Sequence, residues 1–433
     1  MTDQSALFER HKAVMPSWVA LYYEEPIALE RGDGRRVWDA EGNEYLDFFG
    51  GILTTISGHN IPDIVDAIAE QSSKLLHSST LYLIEPAIEL AEEISRLAPI
   101  ENAKLFFVAS GTEANEVALL LATTVRRSNQ ILAMRNSYHG RSFAALSITG
   151  NRGWSASSLS PVNVSYVDGV YRYRNHLGHL SDADYVKAWA DDLRDVIETT
   201  TSGDVACMIA EPIQGVGGFA VPPDGFYGAL REVLDEYGIL FVSDEVQTGW
   251  GRTGDHFWGI EAHGVTPDIM TFAKGIGNGL SIGGVIARPD LMDAVEGNSI
   301  STFGGNPLST TAALANLRYI VDNDLQTNAR KIGEYLITKL RDLAEEHAYI
   351  GDVRGKGLMM AVELVEPGTK TPDPPAATRL MEECKSRRLL VGKGGLYGNC
   401  LRIAPPLSVT LEEADEAYAI IAEAVEVTGG SGA

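Results

Sequence analysis

The chain has 433 residues, 45% of them hydrophobic, with 59 acidic against 35 basic residues for a formal net charge of −24. That length is far beyond the size at which burial is marginal and implies more than one domain. The acidic excess argues against general affinity for nucleic acid or anionic membranes, so an anionic ligand would need locally placed positive charge.

The opening MTDQSALFERHKAVMPSW lacks the basic-then-apolar order of a secretory signal, and nothing in the chain approaches the ~20 apolar residues of a membrane span. Cytoplasm is the expected compartment. Gly32 to Phe49, GDGRRVWDAEGNEYLDFF, reads as two short strands joined at Ala40 to Asn43, because aromatic and β-branched residues flank a Glu-Gly-Asn turn. From about Ile61 to Ile320 the pattern changes. Apolar runs with strand character (KLFFVAS, QILAMR, VACMIAE, GILFVSDE, DIMTFAK) alternate with helical stretches such as TEANEVALLLATTVRR and GFYGALREVLDEYG. Such alternation predicts an α/β fold with a mostly parallel sheet covered on both faces.

After Leu325 the amphipathic segments ARKIGEYLITKLRDLAEEH and PAATRLMEECKSRR are separated by the strand candidates GLMMAVEL and CLRIAPP, which reads as a smaller α+β domain. The expected organisation is a large domain over 61–325 and a small domain built from 1–60 and 326–433. TTTSGD reads as a surface loop and the terminal TGGSGA as disordered. The stretch Val170 to Tyr185, with two histidines and several charges, fits no pattern. Cys207, Cys384 and Cys400 are odd in number and lack Cys-x-x-Cys spacing, so they support neither a disulfide framework nor a zinc site and are expected to be buried.

Three constellations carry chemistry. Ser110-Gly111-Thr112-Glu113-Ala114-Asn115 lies between a strand and a helix start, where hydroxyls, free backbone N–H groups and the helix dipole can hold a phosphate dianion. The plainer alternative is a helix cap, with Glu113 favourable in the first turn. GILFVSDEVQT ends an apolar strand in two acids, placing Asp244 at the strand end where doubly wound sheets bind ligands; an isolated acid there can equally be a turn cap. DIMTFAKGIGNGL ends a second apolar strand at Lys274, and a desolvated lysine can form a Schiff base near neutral pH. Dinucleotide binding is the rival reading of its glycines, but the G-x-G-x-x-G order and the acid ~20 residues on are missing.

The order and spacing of Ser110-Gly111-Thr112, Asp244 to Gly249, Ala273-Lys274-Gly275, TFGGNP (Thr302 to Pro307), GDVRGKGLM (Gly351 to Met359) and RIAPP (Arg402 to Pro406) resemble the class III aminotransferases of pyridoxal phosphate (PLP) fold type I. The resemblance runs from about Pro26 to Leu407. It implies PLP as cofactor, with Lys274 as its covalent anchor and proton carrier, Asp244 on the ring nitrogen and Gln247 on the ring hydroxyl. Gly111 and Thr112 beside Ser110 would bind phosphate, and Thr302 would reach the same phosphate from a partner subunit, which implies a homodimer or a dimer of dimers. Tyr138 and Val246 would cover the two ring faces, and His139 is expected to be packing. Arg402 would hold the substrate α-carboxylate and pair with Glu211 when none is bound. Arg141 resembles the distal carboxylate clamp of 4-aminobutyrate and ornithine members, whereas HFWG (His256 to Gly259), TFGGNP and GDVRGKGLM look most like alanine–glyoxylate aminotransferases.

The activity implied is transfer of an amino group from an ω-amino acid or alanine to a 2-oxo acid such as pyruvate, glyoxylate or 2-oxoglutarate. Decarboxylation, racemisation or amino-group migration on the same fold, and a PLP-binding protein without catalysis, are the alternatives, because fold and cofactor alone do not fix the reaction.

Overall fold

A computed structural model of the chain describes residues 4–19 and 21–430. Leu29–Asp33 (β1), Arg36–Asp39 (β2) and Glu44–Asp47 (β3) form an antiparallel ribbon. The turn falls at Ala40–Asn43 as expected, where Asp39 accepts from the backbone N–H of Glu41 and Asn43. β1 was not legible, because LERGD has neither alternation nor apolar weight.

The central sheet contains Lys104–Val108 (β4), Gln130–Met134 (β5), Asn163–Val167 (β6), Cys207–Ala210 (β7), Leu240–Asp244 (β8), Ile269–Phe272 (β9) and Gly283–Ala287 (β10). Their order is β4-β10-β9-β8-β7-β5-β6. The strands from β9 to β6 are mutually parallel, and β10 runs antiparallel to both β4 and β9. β5, β7, β8, β9 and β10 are buried along their whole length, which is why they read as unbroken apolar runs. The C-terminal ends of β4, β8 and β9 share one edge of the sheet. The helix Gly111–Arg126 starts there, and Asp244 and Lys274 sit there too.

A second sheet joins Ile350–Lys356 (β11), Met359–Leu364 (β12), Gly392–Gly394 (β14) and Cys400–Ile403 (β15) in the order β11-β12-β15-β14. The short strand Leu389–Leu390 (β13) instead pairs parallel with β3, so N-terminal and C-terminal segments share a sheet. Buried Arg252 ties the segment after β8 to the C-terminal part of the chain: its Nη1 donates to the carbonyls of Leu358 (3.2 Å) and Pro405 (2.5 Å), and burial pulls its pKa down to about 9.

One expectation needs correction. Thr428 to Gly430 belong to the helix Leu411–Gly430 rather than to a disordered tail. Buried Ala417, Ile421, Ala424 and Val425 carry the helix onto the core, and the Thr428 hydroxyl donates to the Ala424 carbonyl. The rest of the tail, 431–433, lies outside the described residues. The segment 170–185 does not border the cavity described below; its start docks on the C-terminal sheet. The three cysteines are free and buried, and no described helix is long and apolar enough to cross a membrane.

One close approach yields a stability prediction. Gly333, on the helix Leu325–Glu346, is so near the 357 turn that an added Cβ would stand 2.2 Å from the Gly357 carbonyl oxygen, a backbone atom that cannot rotate away. Gly333→Ala is expected to cost about 1–3 kcal/mol and lower the melting temperature. An unchanged melt would show that the helix can slide.

Candidate active site

At the shared sheet edge lies a cavity of about 320 Å³, walled by Ser110, Gly111, Thr112, Tyr138, Glu211, Asp244, Val246, Gln247 and Lys274. Segments far apart in sequence meet here because β4, β8 and β9 end together. Ser110 caps the helix: its hydroxyl accepts from the Glu113 N–H (3.2 Å), and the Glu113 carboxylate accepts from the Ala109 N–H (2.7 Å). The capping reading of this turn holds, and the turn also lines the cavity. The Ser110 side chain caps, while Gly111 and Thr112 present the first turn of a 16-residue helix to the cavity.

Asp244 is 3% exposed, and its carboxylate is held from three sides. Asn115 Nδ2 donates to Oδ2 at 2.9 Å, His139 Nδ1 contacts Oδ2 at 2.7 Å, and the Val246 N–H donates to Oδ1 at 3.0 Å. A carboxylate only accepts, so Nδ1 of His139 carries the proton. His139 is thus not mere packing, as was expected, but an orienting partner of Asp244. Asn115 is fixed in turn by Thr271, whose hydroxyl donates to its Oδ1 at 2.8 Å. Neither partner was legible, since each lies in a motif that explains itself without it. Losing this support has a measurable price. His139→Ala is expected to cost about 1–3 kcal/mol of stability by leaving a buried acceptor short of a donor. Thermal melting and retained cofactor per subunit check this, and wild-type values for both would return His139 to packing.

Lys274 follows β9 with φ 48, a left-handed backbone that is uncommon outside glycine and that turns its side chain into the cavity. Desolvation lowers its pKa from the ordinary lysine value, opposed by Asp244 and Glu211 and reinforced by Arg402. Gln247 lies 7% exposed, and its buried Oε1 has no hydrogen-bond partner among the described residues. Gly215 lets it in: a Cβ there would meet the Gln247 side chain at 2.3 Å.

The arginines and Thr302 stand outside the cavity wall. Buried Arg402, on β15, reaches toward it through Gly215: Nη1 donates to the Gly215 carbonyl and Nη2 to the Tyr22 hydroxyl, both at 3.4 Å, with Phe49 and Phe219 rings about the guanidinium. The expected Glu211–Arg402 pair is not formed. Glu211 instead accepts from the N–H groups of Tyr138 and Gly215, both at 2.9 Å, and burial raises its carboxyl pKa. Gly215 stands between the two charges, its N–H on Glu211 and its carbonyl on Arg402. Exposed Arg141 donates its backbone N–H to the Thr112 hydroxyl and carries its guanidinium 5.4 Å from the Trp18 ring. Thr302 is exposed on a loop away from the cavity.

The sequence profile of the family described as aminotransferase class-III matches residues 20–425. The chain belongs to the class-III aminotransferases. This aminotransferase is 41% identical over 411 residues to alanine–glyoxylate aminotransferase 2 homolog 2, mitochondrial, of Arabidopsis thaliana, covering 94% of this chain and 84% of that one. It is 35% identical to an alanine/serine racemase of Pyrococcus horikoshii, covering 98% and 90%. A solved (S)-enantioselective omega-transaminase from Thermomicrobium roseum superposes with a TM-score of 0.92 at 34% identity, over 99% of each chain. The protein is accordingly a PLP-dependent transaminase that moves an amino group from an amino acid to a 2-oxo acid. The cavity fits that cofactor on its own terms. The unpartnered Gln247 Oε1 and the acceptor-only Asp244 call for donors from a ligand, and a helix N-terminus stands ready for a phosphate.

Proposed function

We propose that this transaminase passes the amino group of L-alanine, or of an ω-amino acid, to a short 2-oxo acid such as pyruvate, glyoxylate or 2-oxoglutarate. The observation that carries the reading is Arg402, a buried cation beside the cavity with no carboxylate partner among the described residues. Its planar fork suits an α-carboxylate, which both alanine and a 2-oxo acid present. Arg141, exposed and with its backbone N–H on the Thr112 hydroxyl, would take the distal carboxylate of a longer donor.

In this reading Lys274 anchors the cofactor, Asp244 pairs with its ring nitrogen, and Gln247 bonds its hydroxyl. Ser110, Gly111 and Thr112 cradle the phosphate, and Tyr138 and Val246 cover the ring faces. Bound here, the cofactor supplies a carbonyl carbon that amines can hold covalently and a ring that withdraws electrons from the substrate carbon. Lys274 Nζ, neutral more readily for its lowered pKa, would take the proton from that carbon once the substrate amine has freed it from its anchoring bond. Asp244, held by Asn115 and His139, keeps its charge aimed at one point.

The described residues of 1–60 and 326–433 form one lobe and 61–325 the other, a division supported by the pairing of β13 with β3. The active unit is a homodimer. Leu81, Tyr82, Leu83, Ile300 and Phe303 are more than half exposed, an apolar surface suited to a second copy. Thr302, in the middle of this surface loop, is free to complete the partner's phosphate site. Sedimentation showing a monomer at micromolar concentration would overturn this part.

The donor is tested by mixing the yellow holoenzyme separately with L-alanine, 4-aminobutyrate, β-alanine and ornithine, without acceptor, and following loss of the visible band. Bleaching by L-alanine supports Arg402 as the substrate anchor; bleaching by ω-amino acids alone transfers that role to Arg141. The likeness to racemases favours one second reading, in which Lys274 returns the proton to the same carbon. Formation of D-alanine from L-alanine without any oxo acid would establish it.

A further inference from the structure

Glu363, on β12, has no exposed surface, yet polar side chains from two parts of the molecule close on its carboxylate. Arg354 Nη1 donates to Oε2 at 2.6 Å, and the Tyr171 hydroxyl also donates to Oε2; Arg174 Nε donates to Oε1 at 2.8 Å, and Asn399 Nδ2 reaches it at 3.3 Å. Arg354 and Asn399 belong to the C-terminal sheet and its loops. Tyr171 and Arg174 come from the segment after β6, the stretch that sequence patterns leave unassigned. Lys370 Nζ donates to the Tyr173 carbonyl at 3.0 Å and Arg174 Nη1 donates back to the Lys370 carbonyl, so the segment is clasped to the C-terminal sheet at several points. Burial alone would raise the Glu363 carboxyl, but Arg354 foremost, with Tyr171 and Arg174, brings it below its ordinary value.

The register of the sheet connects this clasp to the substrate arginine. Arg354 lies opposite Ala361, and Ala361 opposite Arg402, so the two arginines share one row and one face, separated by a small residue. Both grip the same turn. Arg354 Nε donates to the Gly218 carbonyl at 2.8 Å, and Arg402 Nη1 to the Gly215 carbonyl at 3.4 Å. Gly215 also donates to Glu211 and packs on Gln247, so a shift of this turn is felt at both Arg402 and the cavity. Buried charge clusters add little net stability once desolvation is counted, but they fix geometry sharply.

We propose that the Glu363 clasp positions Arg402: by holding Arg354 on Gly218 it sets where the Gly215 end of the turn stands, and so governs affinity for substrate carboxylates without touching them. The proposal rests on the reading that Arg402 receives the α-carboxylate. Tyr171, Arg174, Arg354 and Glu363 are then positioning residues, not catalytic ones.

The test uses holoenzyme carrying Arg174→Gln, with Tyr171→Phe as the milder variant should the first fail to fold. KM for pyruvate and the dissociation constant of L-lactate, which carries the same carboxylate but lacks the reacting carbonyl, should both rise roughly tenfold. The turnover number at saturating substrate and the visible band should stay within about twofold of wild type, and Arg174→Lys should recover part of the loss. A lowered melting temperature with unchanged lactate binding would make the clasp purely structural and overturn the proposal. Arg402→Ala in parallel separates the two levels: if it leaves lactate binding intact, the assignment of Arg402 fails, and this proposal with it.

Discussion

Lys274→Ala is expected to lose at least about 10³-fold in turnover, or about 4 kcal/mol of transition-state stabilisation, because one amine both anchors the cofactor and moves the proton. The visible band of the holoenzyme should vanish or shift with it. The loss cannot be put down to unfolding. Among the described residues no hydrogen bond or ion pair holds the Lys274 amine, and desolvation lowers its pKa. A depressed lysine pKa means that the unfolded chain binds the proton more tightly, so the charged form opposes folding below the ordinary lysine range and stability rises with pH through that window. The cofactor-free Lys274→Ala protein should therefore melt no lower than cofactor-free wild type at neutral pH. Steady-state rates with L-alanine and pyruvate, beside absorbance and thermal melts, check all three statements; turnover within tenfold of wild type would remove Lys274 from the chemistry.

The second large effect is at Arg402. Truncating a buried cation that forms charge-assisted bonds to a carboxylate costs about 2–5 kcal/mol, so Arg402→Ala should lower kcat/KM for pyruvate by about 10²-fold or more. The loss should fall mainly on KM if the contact is equally strong in the bound substrate and the transition state. Arg402→Lys should recover only part, since a point charge cannot offer the planar fork. Tyr22 adds a finer check. Its hydroxyl accepts from Arg402 Nη2, so Tyr22→Phe leaves the guanidinium with one less partner and should change KM by only a few-fold. Equal kcat/KM for Arg402→Ala and wild type would show that another cation, Arg141 foremost, binds the acceptor.

Much of this site was legible one motif at a time. Apolar runs that stop abruptly at Asp244 and Lys274 mark strand ends, and β8 and β9 do end at the common edge where both residues face one cavity. Ser110 before an amphipathic stretch marks a helix start, and it caps that helix. The local pattern suffices in these cases because strand burial and helix capping are settled by neighbours within a few residues. The antiparallel strand β10 was missed: GGVIA is short, begins with two glycines, and becomes a strand only because β4 and β9 leave a gap between them.

What the sequence determines by itself is the alternation that makes a parallel sheet, the strand-end acid and lysine, and the set of motifs that resembles the class-III aminotransferases. Only the tertiary structure decides how the charges are paired. His139 turns out to serve Asp244, Gly215 keeps Glu211 apart from Arg402, and the unassigned segment after β6 supplies two of the groups on Glu363. The physical reason is that pairing depends on distances between residues tens to hundreds of positions apart. A periodicity or motif records what a residue does to its own strand or helix, not which distant partner the fold will bring within hydrogen-bond reach.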